Sequence, residues 1–275
     1  MQLDPVVDPV VDTWLCTLAV NGRRPATLTS YEYATRRLLE FHGRQLATVG
    51  RAEALAFVTH LRERHRPGGV ASIVRSLRAF YSWCIAEGLA TANPFARLQV
   101  KVPKSLHATP AEADIDAVLR HAVRHRRDFA LLAVLADTGC RKGEIAALTP
   151  TDISLASGVV RFPVSKTEPR TVPLSDRAHR ALESHLRALG SSRLGLWASS
   201  DPYSLVAAVV RRHSEGQLTP HAFRRAFAVR WLAGGGSELG LMRVAGWSNR
   251  EMISLYTAAR ADELAHAEMR RLQGG

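Results

Sequence analysis

The sequence predicts a mainly α-helical protein with one small β-hairpin, an α+β fold divided between two domains. Apolar residues recur at helical spacing over most of the 275 residues. A convincing strand pattern occurs only at Val159–Val164 and Arg170–Leu174, which predicts a hairpin. Residues 94–108 contain prolines and lysines without a regular apolar face, which predicts a linker. The predicted domains are therefore residues 1–93 and 109–275.

Four helices are predicted in the first domain, separated by short polar breaks that contain glycine. They are Pro5–Val20, Thr27–His42, Arg51–Arg64 and Pro67–Gly88. The fourth carries an apolar stripe, for which core packing is favoured over a platform for stacking bases. The stripe consists of Ile73, Leu77, Phe80, Tyr81 and Cys84. Arg75 and Arg78 lie off this stripe, where they either contact phosphate or form a solvated face.

The second domain begins at about Thr109, is again mainly helical, and contains the hairpin. Residues 165–169 would connect the two strands of that hairpin. Further helices are predicted after it, the last of them broken near residues 256–261. They are Asp176–Leu189, Asp201–His213, Pro220–Ala233, Glu238–Ala245 and Arg250–Arg271.

The charge balance indicates a polyanionic partner. The formal net charge is +12, and 33 of the 37 basic residues are arginine, since the chain has only four lysines. Such a field concentrates phosphate-bearing ligands near the surface, and arginine is suited to bidentate phosphate contacts. A basic protein without such a partner remains the alternative at this point.

Composition also argues against several classes of protein. The three cysteines lie far apart and form no CxxC pair, which argues against a disulfide framework and against a zinc site. The sequence has no glycine-rich phosphate loop and no clustered acidic set for two metal ions, so we expect neither a cofactor nor a metal. No N-terminal basic stretch leads into an apolar run, and no apolar run is long enough to span a bilayer, so we expect no membrane association and a cytoplasmic location.

Five residues carry candidate chemistry, although each has an ordinary explanation when taken alone. Arg141 follows a predicted helix end and would commonly be a surface capping residue. Lys166 lies at the hairpin tip, where a lysine is usually solvated. His221 and Arg224 are one helical turn apart, like many surface pairs. Tyr256 lies on an apolar helix face, where a tyrosine is usually half-buried packing.

In their order and spacing, these segments resemble the tyrosine recombinase (phage integrase) family along the whole second region. Residues 138–148, TGCRKGEIAAL, are similar to the first arginine box of the family. Ser165-Lys166 followed by residues 170–174 resembles the hairpin lysine segment. Residues 219–228 resemble the His-x-x-Arg box, and residues 245–248 with Tyr256-Thr257 resemble the closing box and the nucleophile.

The resemblance implies an N-terminal core-binding domain and a C-terminal catalytic domain, with the site residues assigned by motif. The catalytic set would be Arg141, Lys166, His221, Arg224, Trp247 and Tyr256, with Glu144 as the supporting acid. Two positions depart from the family pattern. Trp247 stands where most members carry histidine, and indole can donate a hydrogen bond but cannot shuttle a proton. Arg225 stands where a second histidine usually follows the box arginine, which affects fine positioning.

This set of residues suits the attack of a phenol on a phosphodiester. Arg141 and Arg224 would stabilise the charge on the non-bridging oxygens. His221 is the best candidate for the base that activates Tyr256, and Lys166 for the acid that protonates the departing 5′ oxygen, although the sequence does not separate these two roles. The 3′-phosphotyrosine would conserve the energy of the broken bond, so that ATP and metal are not required.

The expected partner is double-stranded DNA with a specific recombination site, bound by a homotetramer. An accessory directionality factor is a further candidate partner. Residues 261–272 could dock on a neighbouring protomer or pack on their own domain. Two alternative functions remain at this stage: a type IB topoisomerase, and a DNA-binding regulator that has lost catalysis.

Overall fold

The computed structural model describes residues 8–43, 45–103, 109–163, 168–190, 195–251, 253, 257 and 261–273. The chain divides into two compact units, Met1–Ser105 and Leu106–Gly275. In the described residues the first unit is helical and the second combines helices with a small antiparallel sheet, which confirms the predicted fold class. Over the same residues, no helix combines the length and the apolar character needed to cross a bilayer.

The four predicted helices of the first unit are confirmed. They are α1 (Pro9–Val20), α2 (Pro25–His42), α3 (Arg51–Arg64) and α4 (Pro67–Ala86). Helix α1 begins at Pro9, because the Asp8 carboxylate accepts the Val10 backbone N–H at 3.0 Å and caps the helix. The predicted first residue, Pro5, lies outside the described residues. The other oxygen of Asp8 accepts the backbone N–H of Leu46 at 3.0 Å, which ties the helix start to the segment after α2.

The apolar stripe of α4 lies in the core of this unit, as predicted, and all five of its side chains are buried. Arg75 is exposed, whereas Arg78 has a role that neither interpretation anticipated. Its Nη2 donates to the Leu98 carbonyl at 2.8 Å, so the guanidinium holds the segment that follows α4. Phe95 and Leu98 from that segment are buried against the same core.

The second unit is built around a central buried helix, α6, whose residues 130–136 are all buried. The helices before the sheet are α5 (Glu112–Ala122), α6 (Arg126–Thr138) and α7 (Lys142–Ala146). Those after it are α8 (Asp176–Leu189), α9 (Pro202–His213), α10 (Pro220–Ala233), α11 (Glu238–Ala245) and α12 (Ala261–Gln273). Helices α8 to α11 agree with their predicted bounds to within one residue.

The two predicted strands of the hairpin are present, and a third strand pairs with the first of them. The strands β1 (Ile153–Ser154), β2 (Val159–Phe162) and β3 (Arg170–Pro173) form an antiparallel sheet in the order β1-β2-β3. The sequence prediction missed β1, because two residues are too short to show alternation. In the register of β2 and β3, Phe162 lies opposite Arg170. The predicted tip of the hairpin, including Lys166, lies outside the described residues.

Candidate active site

Helices α6 and α11 each end in a left-handed glycine, and the carbonyl groups at these two ends form the frame of the site. Gly139 ends α6 with a φ of 57°, and a side chain there would overlap the ring of Phe227. Gly246 ends α11 with a φ of 66°, and an added Cβ would lie 2.8 Å from Arg170 Nη1. Because both positions combine a left-handed backbone with close neighbours, only glycine allows the chain to turn there without strain.

Arg224 joins the ends of these two helices. Its side chain lies on α10 and the residue is 1% exposed. Nη1 donates to the Gly139 carbonyl at 2.6 Å, and Nη2 donates to the Ala245 carbonyl at 2.8 Å. The C-terminal ends of helices carry partial negative charge, which favours a guanidinium at this position. The two bonds fix the orientation of Arg224 within the described part of the chain.

Arg141 reaches the same helix end from another direction. Its Nη2 donates to the Gly246 carbonyl at 2.7 Å, and its Nη1 donates to Glu144 Oε1 at 2.8 Å. Arg141 and Arg224 therefore bind consecutive carbonyls at the end of α11. The Arg141 side chain keeps 23% of its surface exposed, so this arginine can meet a ligand that approaches from solvent.

Glu144 holds Arg141 in place. It is buried, and its carboxylate accepts the Arg141 backbone N–H at 2.8 Å in addition to the side-chain bond. Arg170 Nη2 donates to Glu144 Oε2, also at 2.8 Å. Burial alone raises the pKa of this carboxyl, but the hydrogen bonds from Arg170 and Arg141 outweigh burial and lower the pKa to about 2. Glu144 is therefore ionised at neutral pH.

The Glu144 carboxylate should make stability depend on pH in the acid range. Its pKa falls from the ordinary 4.5 to about 2 on folding, so its contribution is complete above pH 4.5 and disappears as the pH falls through 2. The shift corresponds to about 3 kcal/mol. We expect Glu144→Gln to lose about this much free energy of unfolding at pH 7, and the difference from wild type to shrink between pH 4.5 and 2.

Urea unfolding at a series of pH values measures this effect. Glu183→Gln is the matched control, because Glu183 forms an exposed pair with Arg187 on α8. An exposed pair of this kind contributes about 0 to 1 kcal/mol. A pH-independent difference between wild type and Glu144→Gln would contradict the assignment.

The ring of Trp247 packs against the guanidinium group of Arg224. It is buried in a cluster with Phe227, Leu241 and Ile253, and its ring centroid lies 5.1 Å from the Arg224 guanidinium carbon. The face of an indole ring attracts a cation, and the effect is strengthened when both are buried. The tryptophan at this position thus helps to hold the Arg224 side chain in place. Unlike a histidine, it cannot transfer a proton.

His221 lies on the first turn of α10, one turn before Arg224, and is exposed. It lines a groove of ≈ 1090 Å³ within the second unit, together with Thr219 and Arg225. A base that acts on a bound substrate needs such access. The structure therefore gathers Arg141, Glu144, Arg224 and Trp247 around the end of α11 and places His221 a turn away. Lys166 and Tyr256 lie outside the described residues.

The sequence prediction gave no role to Arg170, which lies at the centre of this arrangement. A signal for it was available. Strand alternation places Arg170 on the same side as Val172, and both are buried. A charged residue at an inward strand position indicates a buried ion pair, because an isolated buried charge is strongly unfavourable.

Comparisons with known proteins agree with this architecture. The sequence matches the phage integrase family over residues 111–263, and the N-terminal SAM-like domain of phage integrases over residues 11–90. The tyrosine recombinase XerD of Shewanella oneidensis is 26% identical to this chain, and the alignment covers 96% of this chain and 96% of the relative.

Two solved structures show the same fold at low identity. A Tn1549 transposon integrase in complex with transposon right end DNA has a TM-score of 0.75 and 18% identity, covering 96% of this chain and 99% of that chain. A lambda integrase tetramer bound to a Holliday junction has a TM-score of 0.72 and 18% identity, covering 88% of this chain and 77% of that chain. Because the family match extends over more than half of the sequence, this chain belongs to the phage integrase family and is a site-specific tyrosine recombinase.

Proposed function

We propose that this enzyme breaks and rejoins DNA through a 3′-phosphotyrosine at Tyr256, with Arg141 and Arg224 stabilising the transition state. The observation that carries the proposal is the meeting of these two arginines at the consecutive carbonyls of Ala245 and Gly246. Both guanidinium groups are oriented by acceptors that belong to the protein itself, which is the arrangement that electrostatic catalysis requires.

The charge balance around these arginines suits a phosphate. Arg141, Arg170 and Arg224 are connected through Glu144 and the end of α11, which gives three guanidinium groups and one carboxylate. The connected group therefore keeps a net positive charge. Partial burial strengthens its attraction for the extra negative charge that develops on the non-bridging oxygens.

The reaction balances without an external energy source. The phenolic oxygen of Tyr256 forms a bond to phosphorus, the bond to the 5′ oxygen breaks, and one proton moves from the phenol to the leaving oxygen. His221 is the proposed base and Lys166 the proposed acid. Attack by a 5′ hydroxyl on the phosphotyrosine reverses the step and rejoins the strand. When that hydroxyl belongs to a second duplex, the outcome is strand exchange.

Strand exchange between two duplexes supports a homotetramer on double-stranded DNA with a specific site. The lambda integrase tetramer bound to a Holliday junction supports this assembly by analogy. Helix α12 carries the exposed apolar residues Met269 and Leu272, which suits docking on a neighbouring protomer. An accessory directionality factor is a further candidate partner. Because the proposed substrate is DNA, we also propose a cytoplasmic location for the enzyme.

Covalent capture from a pool of short nicked duplexes of random sequence tests the proposal, because the enzyme itself selects its target site from the pool. Cleavage a short distance 5′ of the nick, in the nicked strand, releases a short 5′-hydroxyl fragment that dissociates, so the phosphotyrosine is trapped. We expect an adduct that survives denaturing electrophoresis, maps to Tyr256 by mass spectrometry of the digested protein, and contains an enriched sequence. Tight binding without any adduct would instead support a non-catalytic DNA-binding protein.

A supercoiled plasmid then separates recombination from relaxation. With two copies of the enriched sequence, we expect products that have exchanged flanking DNA. Relaxation of a plasmid with a single site, without exchange on the plasmid with two sites, would support topoisomerase activity instead.

A further inference from the structure

Arg170 forms hydrogen bonds with two separate helices of the second unit, α7 and α11. It is the first residue of β3, and its side chain is 3% exposed. Its Nη2 donates to Glu144 Oε2 at 2.8 Å, while its Nε donates to the Val244 carbonyl on α11 at 2.7 Å. The guanidinium carbon lies 4.7 Å from the ring centroid of Phe162 on the neighbouring strand. One side chain thus connects the sheet, α7 and α11.

These contacts close a ring that includes Arg141. The side chains of Arg170 and Arg141 bind opposite oxygens of the Glu144 carboxylate. Both also bind the end of α11, Arg170 at Val244 and Arg141 at Gly246. Glu144 and the end of α11 each bind both arginines. Displacement of Arg170 would therefore loosen the Glu144 carboxylate and the Gly246 carbonyl, the two acceptors that orient Arg141.

The absence of a side chain at Gly246 is part of this fit. An added Cβ would lie 2.8 Å from Arg170 Nη1, so α11 can approach the guanidinium only with glycine at this position. Lysine could not replace Arg170, because a single ammonium lacks the rigid planar fork that meets a carboxylate and a carbonyl together. The site is therefore specific for arginine in both shape and hydrogen bonding.

We propose that Arg170 is a positioning residue for DNA cleavage, which holds Glu144 and the end of α11 so that Arg141 is oriented toward the scissile phosphate. The inference rests on the proposed function. Arg170 is buried and acts through Glu144 and the Val244 carbonyl, without contact with the substrate. Its loss should therefore slow the chemical step more than it weakens DNA binding.

Single-turnover cleavage of the captured nicked duplex, at saturating protein, tests this role. For Arg170→Met we expect the cleavage rate constant to fall by about 10-fold or more, because small displacements of catalytic groups can cost up to about 100-fold in rate. The Kd for the duplex, measured by fluorescence anisotropy, should change less than the rate. Arg170→Lys keeps the charge beside Glu144 and provides a second variant if Arg170→Met fails to fold; it should also be slow.

Arg177→Met is the matched control. Arg177 is a partly buried arginine on α8 of the same unit, and it pairs with Asp137 and Asp116 away from the Glu144 ring. We expect this variant to lose stability and to cleave at the wild-type rate. Thermal unfolding of each protein separates loss of folding from loss of rate.

A double-mutant cycle shows whether Arg170 acts through Glu144. If it does, Arg170→Met will slow cleavage much less in the Glu144→Gln background than in wild type. Equal losses in both backgrounds, or a folded Arg170→Met and Arg170→Lys that cleave at the wild-type rate, would overturn the role. The wild-type adduct separates the two proposals, because its absence refutes the proposed function itself.

A measurement without DNA provides an independent check. Removal of Arg170 takes a hydrogen bond and a positive charge away from the buried Glu144 carboxylate, so the acid-dependent part of the stability should move to higher pH. The same acid profile in wild type and Arg170→Met would show that Arg170 does not hold Glu144.

Discussion

Replacing Tyr256 by phenylalanine is expected to abolish the covalent protein–DNA adduct while the duplex is still bound. The change removes one hydroxyl and keeps the aromatic ring, so the substitution is conservative in size and shape. A phenol has an ordinary pKa of about 10 and needs a base and a cationic surrounding to attack phosphorus, which the proposed site supplies through His221 and the two arginines. Denaturing electrophoresis after incubation with the captured nicked duplex measures the effect, and anisotropy measures binding.

Tyr33→Phe is the control for this experiment. Tyr33 lies on α2 of the first unit and is 43% exposed, so the variant loses the same hydroxyl outside the arrangement of Arg141 and Arg224. We expect its adduct to form as in wild type. An adduct of wild-type amount in Tyr256→Phe would assign the nucleophile to another residue and refute the central step.

Replacing Arg224 by alanine is expected to give the second largest effect, a fall of about 100- to 1,000-fold in the single-turnover cleavage rate. The guanidinium is buried and is held by the Gly139 and Ala245 carbonyls. Alanine removes a preorganised positive charge from the transition state. It also leaves two buried carbonyls without this donor, which should lower the free energy of unfolding by about 1 to 3 kcal/mol for each.

Two variants separate catalysis from stability at this position. Arg230→Ala removes another arginine of α10, which donates to the Ala136 carbonyl at 2.5 Å and pairs with Glu112. It should lower stability and leave the cleavage rate unchanged. Arg224→Lys keeps the charge but cannot bind both carbonyls, so partial activity is expected. If Arg224→Ala stays folded at the assay temperature and cleaves at the wild-type rate, the assignment of Arg224 is wrong.

Local patterns in the sequence were sufficient to predict most of the helices and the hairpin. The stripe from Ile73 to Cys84 predicted a buried helix face, because residues at 3.6-residue spacing share one side of a helix. Local patterns did not show that Asp8, which caps α1, also accepts the backbone N–H of Leu46, 38 residues away. The two-residue strand β1 was missed, because it exists only through pairing with β2.

The sequence by itself determined which residues carry the candidate chemistry, since Arg141, Glu144, Arg224 and Trp247 were identified by their motifs. Only the tertiary structure decided how they are held. Arg141 meets the Gly246 carbonyl across 105 positions, and Arg224 meets that of Gly139 across 85. Backbone carbonyls are chemically alike in every residue, so a sequence pattern cannot show which one an arginine binds. That choice depends on where the helices end in space, and Arg170 gained its role in the same way.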